Sequence, residues 1–259
     1  MPEQATKARV RAAFERAAGS YDSAAEVQRR ICQHLLSRLP ATLQPQRLLD
    51  AGCGTGYALE LLHARFPDAQ ALALDFSPAM LQHCLAATPA TPLALAGDIE
   101  QLPLASASVD LYWSSLAVQW CDLAHALGEA RRVLRPAGQL LLATLGPATF
   151  HELRSAFAGI DRHAHTLSFV SAAHVGELAR NSGFSTVDVD IRQETAYYPD
   201  FRSLLKAVKA VGANQVGAGR RTSLLGRSAF ARAAAAAESG RCAAGLPLSY
   251  EVIVLSARN

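Results

Sequence analysis

Leu48-Leu49-Asp50-Ala51-Gly52-Cys53-Gly54-Thr55-Gly56 decides the reading of this 259-residue chain. Two leucines end a buried strand, an acid follows, and three glycines alternate before Tyr57 opens an amphipathic helix. Glycine at a strand-to-helix turn lets the backbone bend sharply and approach a ligand closely, because no Cβ stands in the way. The spacing is G-x-G-x-G. The dinucleotide fingerprint, G-x-G-x-x-G, needs its third glycine one position later, where this chain has Tyr57. A carboxylate at Asp50 suits a ligand bearing an ammonium group and would repel a pyrophosphate, which disfavours a nicotinamide-dependent oxidoreductase.

The residues that follow form an ordered series. Ala71-Leu72-Ala73-Leu74 reads as a second buried strand ending at Asp75, nineteen residues beyond Gly56. An acid there is placed to grip a ribose diol with two hydrogen bonds. Phe76 follows, then Ser77 as N-cap and Pro78 as first helical residue. Leu93-Ala94-Leu95-Ala96 leads into Gly97-Asp98-Ile99, where the acid can accept from an adenine amino group. Val109 to Ser115 reads as strand four. Arg135-Pro136-Ala137-Gly138 reads as a turn into strand five, Gln139 to Thr144. Over roughly residues 45 to 145 this order resembles the seven-strand S-adenosylmethionine-dependent methyltransferases. The resemblance implies S-adenosylmethionine as cofactor, bound by Tyr21, Asp50, Gly52, Gly54, Gly56, Asp75, Phe76, Asp98, Ile99 and Ser114.

Half of the residues are apolar, enough to bury a full core as one domain with a smaller cap. Met1 to Lys7 lacks the apolar centre of a signal peptide, and no run approaches membrane-spanning length, so no membrane association is expected. The five cysteines are odd in number, scattered and without a C-x-x-C pair, which points to a reducing, cytoplasmic setting and no zinc site. A net charge of +3 is too small to imply nucleic acid, and Ser114-Ser115-Leu116-Ala117 stands where a nucleic-acid methyltransferase usually carries an N/D-P-P-Y/F-type motif.

The fold expected is α/β: a Rossmann-like, seven-stranded, mostly parallel sheet with helices on both faces and a helical lid inserted before the last strand. Residues 1–44 read as N-terminal helices over the cofactor site, 45–200 as the core, 201–246 as the lid and 247–259 as the last core strand. Val10 to Leu39 reads as two helices around a break at Gly19-Ser20, with Val27, Ile31, Leu35 and Leu39 on one face. Tyr21, in that break, is read both as a contact to the methionine end of the cofactor and as a half-buried anchor. Core helices are expected at 57–66, 78–87, 123–134 and 147–157, and another from Ser171 to about Asn181. Val187 to Ala196 is a long alternating strand, and Tyr250 to Ala257 the antiparallel strand at the sheet edge.

No histidine offers itself as a dedicated base. His125 reads as exposed, His151 as preceding a helix face, and His163 and His165 as an H-x-H pair without further metal ligands. That favours a nucleophile already ionised at neutral pH, and a carboxylate with a pKa of roughly 4 fits. A carboxylate needs a cation to hold it, and the insertion supplies Arg202, Lys206, Lys209, Arg220, Arg221 and Arg227.

Three stretches outside the cofactor motifs narrow the resemblance: Ala13 to Asp22, Leu116 to Cys121, and Thr144 to Arg154. With Leu205 to Asn214 and Leu246 to Val252, they make nearly the whole chain similar to the malonyl-acyl-carrier-protein O-methyltransferases of biotin synthesis. That resemblance implies methyl esterification of the free carboxylate of a malonyl thioester. The partner would be malonyl-acyl carrier protein, or malonyl-CoA, with no catalytic base. Lys209, Lys206, Gln119 and Trp120 would contact the substrate. The basic insertion would then steer an acidic carrier protein. Gly217 to Arg221 does not align with the family pattern. A methyltransferase of a free small acid or quinone precursor is the alternative, and it needs no positive docking face.

Overall fold

Runs of Leu, Ala and Val separated by glycine-rich turns and amphipathic helices commit the first half of the chain to a parallel sheet. The computed structural model describes residues 7–88, 92–161, 163–210 and 226–259. Its seven strands are β1 (Arg47–Ala51), β2 (Gln70–Asp75), β3 (Leu93–Ala96), β4 (Val109–Ser115), β5 (Leu134–Leu145), β6 (Thr186–Tyr198) and β7 (Leu246–Arg258). They lie in the order β3-β2-β1-β4-β5-β7-β6, all parallel except β7, which runs antiparallel to both neighbours. The sequence order reverses between β1 and β4, and in such sheets ligands bind beyond the strand ends at that point.

Helices cover both faces. On one side α3 (Glu26–Ser37) and α4 (Tyr57–Arg65) pack on alternate strand residues Leu48, Leu111, Trp113 and Leu141. On the other, α6 (Leu123–Val133) and α8 (Ala172–Asn181) cover Leu49, Tyr112, Leu140 and Leu142. The four-residue spacing of Val27, Ile31 and Leu35 puts all three in the core, as periodicity requires. α5 (Pro78–Ala87) starts as expected, with the Ser77 hydroxyl accepting from the Met80 N–H.

Two expectations are corrected. The last strand is antiparallel but does not lie at the edge: β7 is paired on both sides, and β6 takes the edge. The residues explain this. β7 buries Leu248, Tyr250 and Val252 as well as Ile253, Leu255 and Ala257, whereas β6 carries Asp188, Asp190 and Arg192, the kind of charge that protects an open edge. The helix expected from Pro147 begins instead at His151, as α7 (His151–Phe157). Phe150 before it is left-handed, with φ 59°, which turns residues 147–150 out of the helix path.

At the N-terminus, α1 (Lys7–Ala17), a single 3-10 turn at Ala18–Ser20 and α2 (Tyr21–Ala24) cross the strand ends. α9 (Phe201–Ala210) and α10 (Arg227–Glu238) lie between β6 and β7 in sequence and pack against α7, β6 and each other. Arg220 and Arg221 lie outside the described residues.

Candidate active site

Beyond the ends of β1, β2 and β4 the glycine-rich turn opens a cavity of about 670 Å³, within the usual range for small-ligand sites. Gly52 begins the turn at φ 82°, and a Cβ there would stand 2.3 Å from the Cβ of Ala117. Only glycine lets β1 and the β4 loop approach so closely. Gly54 faces open space, with nothing within 4 Å of where a Cβ would be, so its backbone is free to meet a ligand. Asp75 buttresses this turn: its carboxylate accepts from the N–H of Gly54 at 3.0 Å and of Ser77 at 2.8 Å. Burial raises the Asp75 pKa, and those backbone donors offset part of the rise.

A neighbouring lobe of about 480 Å³ shares Gly52, Gly54, Tyr21 and Ser115 with the first and reaches Asp50. Asp50 is 1% exposed, and its Oδ2 has no hydrogen-bond partner among the described residues. Burial first, then the nearby Cys84 and Asp75, push its pKa well above the usual carboxylate range. An orphaned buried carboxylate is costly unless a cation meets it, so this lobe could hold a ligand ammonium group. On the far side, Phe76, Asp98 and Ile99 line the first cavity. A ligand with an amino-acid end, a diol and a flat base fits Asp50, Asp75 and the Phe76–Ile99 wall in that order.

The N-terminal segment closes this site. Thr55 donates to the Asp22 carboxylate at 2.7 Å, tying α2 to the glycine turn. Lys7 pairs with Asp98 at 2.5 Å and with Glu100 at 2.9 Å; burial lowers the Lys7 pKa, but these two acids outweigh it and the net shift is upward. Phe14 packs edge-on to Trp120 and Phe76 at centroid distances of 5.7 and 6.2 Å. Tyr21, half-buried beside it, is pushed up to about 12 by burial and then by Asp75 and Asp22. Its hydroxyl is therefore a neutral donor at ordinary pH.

Phe14, Tyr21, Leu116 and Trp120 also wall a third cavity, of about 430 Å³, completed by Gln28, Gln119, Leu145, Phe150 and others. Among the described residues, no Asp, Glu, His, Lys or Arg lines it. Leu116 and Phe150 both hold left-handed backbones, at φ 55° and 59°. Such conformations cost of order 1–3 kcal/mol in bulky residues and cluster where function demands them. The strain at Phe150 is supported by an interlocked corner. Glu152 accepts from Ser249 N at 3.0 Å, Glu251 accepts from Ala148 N at 2.9 Å, and Arg154 donates to the carbonyls of Pro147 and Thr149. The stretches Thr144–Arg154 and Leu246–Val252 are thus two halves of one wall.

Of the residues singled out from sequence, Tyr21, Gly52, Gly54, Asp75, Phe76, Asp98 and Ile99 line the first cavity, Asp50 lines the second lobe, and Gln119 and Trp120 line the third cavity. Four fall elsewhere. Ser114 is fully buried and donates to the Ala51 carbonyl at 2.7 Å; strand alternation gives the cavity position to Ser115 instead. Gly56 caps α4 and faces α5, where a Cβ would meet the Thr88 hydroxyl at 2.8 Å, so its smallness serves packing. Lys206 and Lys209 stand on the exposed side of α9, opposite the buried Phe201, Leu204 and Val208, and line none of these cavities. Lys7 and Phe14 went unread as site residues: their lining role depends on α1 folding back over the strand ends, although Phe14 lies inside the quoted stretch Ala13–Asp22.

Known proteins carry the same pattern. Residues 49–142 match a family described as a methyltransferase domain. A malonyl-acyl-carrier-protein O-methyltransferase of Dechloromonas aromatica is 59% identical over 98% of this chain and 95% of its own length. The biotin biosynthesis bifunctional protein BioHC of Cellvibrio japonicus is 36% identical over 96% of this chain and 49% of its own. A solved S-adenosylmethionine-dependent methyltransferase of Mesorhizobium loti shares the fold, with 18% identity, a TM-score of 0.53, and coverage of 88% of this chain and 96% of that one. With the cofactor-type cavity, the neutral aromatic cavity beside it and full-length likeness to such enzymes, the chain belongs to the malonyl-acyl-carrier-protein O-methyltransferases, a family of S-adenosylmethionine-dependent methyltransferases.

Proposed function

We propose that the chain esterifies the free carboxylate of a malonyl thioester borne by an acyl carrier protein, with the malonyl end in the aromatic cavity. When bound, S-adenosylmethionine supplies a methyl group on a cationic sulfur. Asp50 would hold its ammonium group, Asp75 its ribose, and Phe76, Asp98 and Ile99 its base.

One observation carries this reading: the cavity next to the cofactor site shares Tyr21 with it and, among the described residues, is lined by no charged side chain. An acceptor that had to lose a proton would find no base there, whereas a carboxylate arrives ionised. Joining an anion to a cationic methyl donor removes both charges, so the transition state is less polar than the reactants. A lysine clamped on the acceptor would favour the reactant and slow the step. Neutral donors orient it at smaller cost. The Tyr21 hydroxyl is such a donor, and the Gln119 amide, which already donates to the Leu116 carbonyl at 2.6 Å, stands on the same wall. Gating by Phe14 and Trp120 would keep water from the reacting atoms.

The exposed cations Arg202, Lys206 and Lys209 on α9, with Arg227 and Arg232 on α10, support docking of an acidic carrier protein. Their role in this proposal is steering, with α10 packed on α7 and α9 beside it as a docking cover. Five free cysteines, three of them buried, suit a reducing cytoplasm; among the described residues no helix is long and apolar enough to cross a membrane.

Purified protein with labelled cofactor, offered malonyl carrier protein, malonyl-CoA and free malonate, tests the proposal. Carrier protein should give the highest kcat/KM, with an advantage over CoA that shrinks as salt rises. Free malonate methylated as well as the carrier-bound form would favour the small-acid reading.

A further inference from the structure

Leu167 and Phe169 line the aromatic cavity, and they also line a larger groove of about 980 Å³ beside α7. Three spaces therefore stand in series with shared walls: the surface groove and the neutral cavity at Leu167 and Phe169, and the neutral cavity and the cofactor site at Phe14, Tyr21, Leu116 and Trp120. The groove's outer wall is the stretch between α7 and α8, of which Ala164 and Ser168 are exposed and Thr166 is buried.

We infer that this groove is the channel for the phosphopantetheine arm of the carrier protein, threading the malonyl group inward past Leu167 and Phe169. The inference rests on the reading of the substrate as a carrier-bound malonyl thioester. The groove's chemistry changes along its length, as the arm's does. Its inner end is apolar, from Phe157, Leu167 and Phe169, and suits the thioester and methylenes. Its wall carries Arg154, whose guanidinium donates to two backbone carbonyls and pairs with no carboxylate among the described residues. A cation held in place by neutral partners keeps its full charge for an anion such as the arm's phosphate. His165 is fixed in the same wall, stacked on Phe157 at 3.7 Å between centroids and bonded to Asp161 at 2.9 Å. Phe157 also contacts Phe201 at the start of α9, which bears the exposed cations. The groove wall is therefore packed on the helix that carries those cations.

Two substrates and two variants test the channel. Wild-type protein is assayed with malonyl-4′-phosphopantetheine, whose arm spans the groove, and with malonyl-N-acetylcysteamine, whose short arm ends within the neutral cavity. The long arm should win by roughly tenfold or more in kcat/KM. Ala164→Trp and Ser168→Trp each obstruct the exposed rim of the groove at residues that do not line the neutral cavity. Each should cut kcat/KM for the long arm about tenfold, leave the short arm within about twofold, and leave S-adenosylhomocysteine affinity unchanged. If Ser168→Trp weakens S-adenosylhomocysteine binding, Ala164→Trp alone decides. Equal effects on both arms, or on neither, would overturn the channel. Failure of wild-type protein to methylate either thioester would instead count against the reading of the substrate.

Discussion

The two halves of the site differ in what holds them together. The cofactor half is polar and local: Asp50, Gly52 and Gly54 follow one strand, Asp75 ends the next, and Asp98 follows the third. Asp50 and Asp75 are buried and the Asp50 Oδ2 has no partner among the described residues, so the empty protein bears a cost that a ligand relieves. The acceptor half is neutral and dispersed, gathered from α1, α2, the β4 loop, the turn before α7 and β7. Its cost is conformational, stored in the left-handed Leu116 and Phe150. In the proposed reaction one half binds charge and the other lets charge disappear. The methyl-transfer chemistry asks for that division.

Breaking the polar half should have the largest effect. Asp50→Asn removes the proposed buried partner of the cofactor's ammonium group, and breaking such a pair costs about 3–5 kcal/mol, or roughly 10²- to 10⁴-fold in affinity. The same substitution should stabilise the empty protein, with its thermal midpoint rising by about 2–4 °C for each ~1 kcal/mol gained. Burial holds the folded Asp50 pKa above its unfolded value, so the native state keeps the proton longer. Stability from this group is full below the ordinary carboxylate range and is lost as pH rises through the raised value. The apoprotein should therefore melt higher near about pH 5 than near about pH 8 through this group, and Asp50→Asn should flatten that dependence. Calorimetry with S-adenosylhomocysteine and thermal scans at the two pH values read both effects.

Tyr21 belongs to both halves and separates them. Tyr21→Phe keeps the ring against Phe14 and removes one hydrogen bond to a charged acceptor, worth about 1.5–3 kcal/mol. The expected result is a roughly 10- to 100-fold fall in turnover of malonyl thioesters, with S-adenosylhomocysteine affinity changed by less than about twofold. A matching loss of cofactor affinity would assign Tyr21 to the polar half alone.

The same contrast decides what the sequence discloses. The residues proposed for the cofactor sit at strand ends in a fixed order, so strand periodicity and glycine spacing are enough to bring Asp50, Gly52, Asp75 and Asp98 to the two adjoining cavities. A one-residue parity error is enough to exchange Ser114 for Ser115, because alternate residues of β4 face opposite ways. Gly56 shows that a motif glycine can answer to packing against α5. The acceptor cavity has no such local signature. Its lining comes from segments more than two hundred residues apart, and the positive φ of Leu116 and Phe150 is invisible where the residue is not glycine. Only whole-family likeness of Ala13–Asp22, Leu116–Cys121 and Thr144–Arg154 drew attention to it. The charge requirement misled in the same region: a carboxylate acceptor suggested Lys206 and Lys209, but the amphipathic pattern that buries Phe201, Leu204 and Val208 turns both lysines to solvent.

Those lysines give the smallest effect. Exposed charges separated from the reacting atoms act through a screened field, so Lys206→Met with Lys209→Met should leave kcat on a short malonyl thioester within about twofold. KM for the carrier protein should rise severalfold at low salt and converge on wild type at high salt. A fall in kcat on the short thioester would return a lysine to the acceptor half.

In the proposed reaction the acceptor half receives a nucleophile already ionised and, among its described residues, supplies neither base nor cation. Single-turnover methyl transfer to malonyl carrier protein, at saturating cofactor, measures this directly between about pH 6 and about pH 9. The rate should stay flat within about twofold, because the acceptor carboxylate ionises near pH ~4 and Tyr21, pushed up to about 12, keeps its proton throughout. A rate rising with pH to a plateau, with one apparent pKa inside that window, would contradict the account.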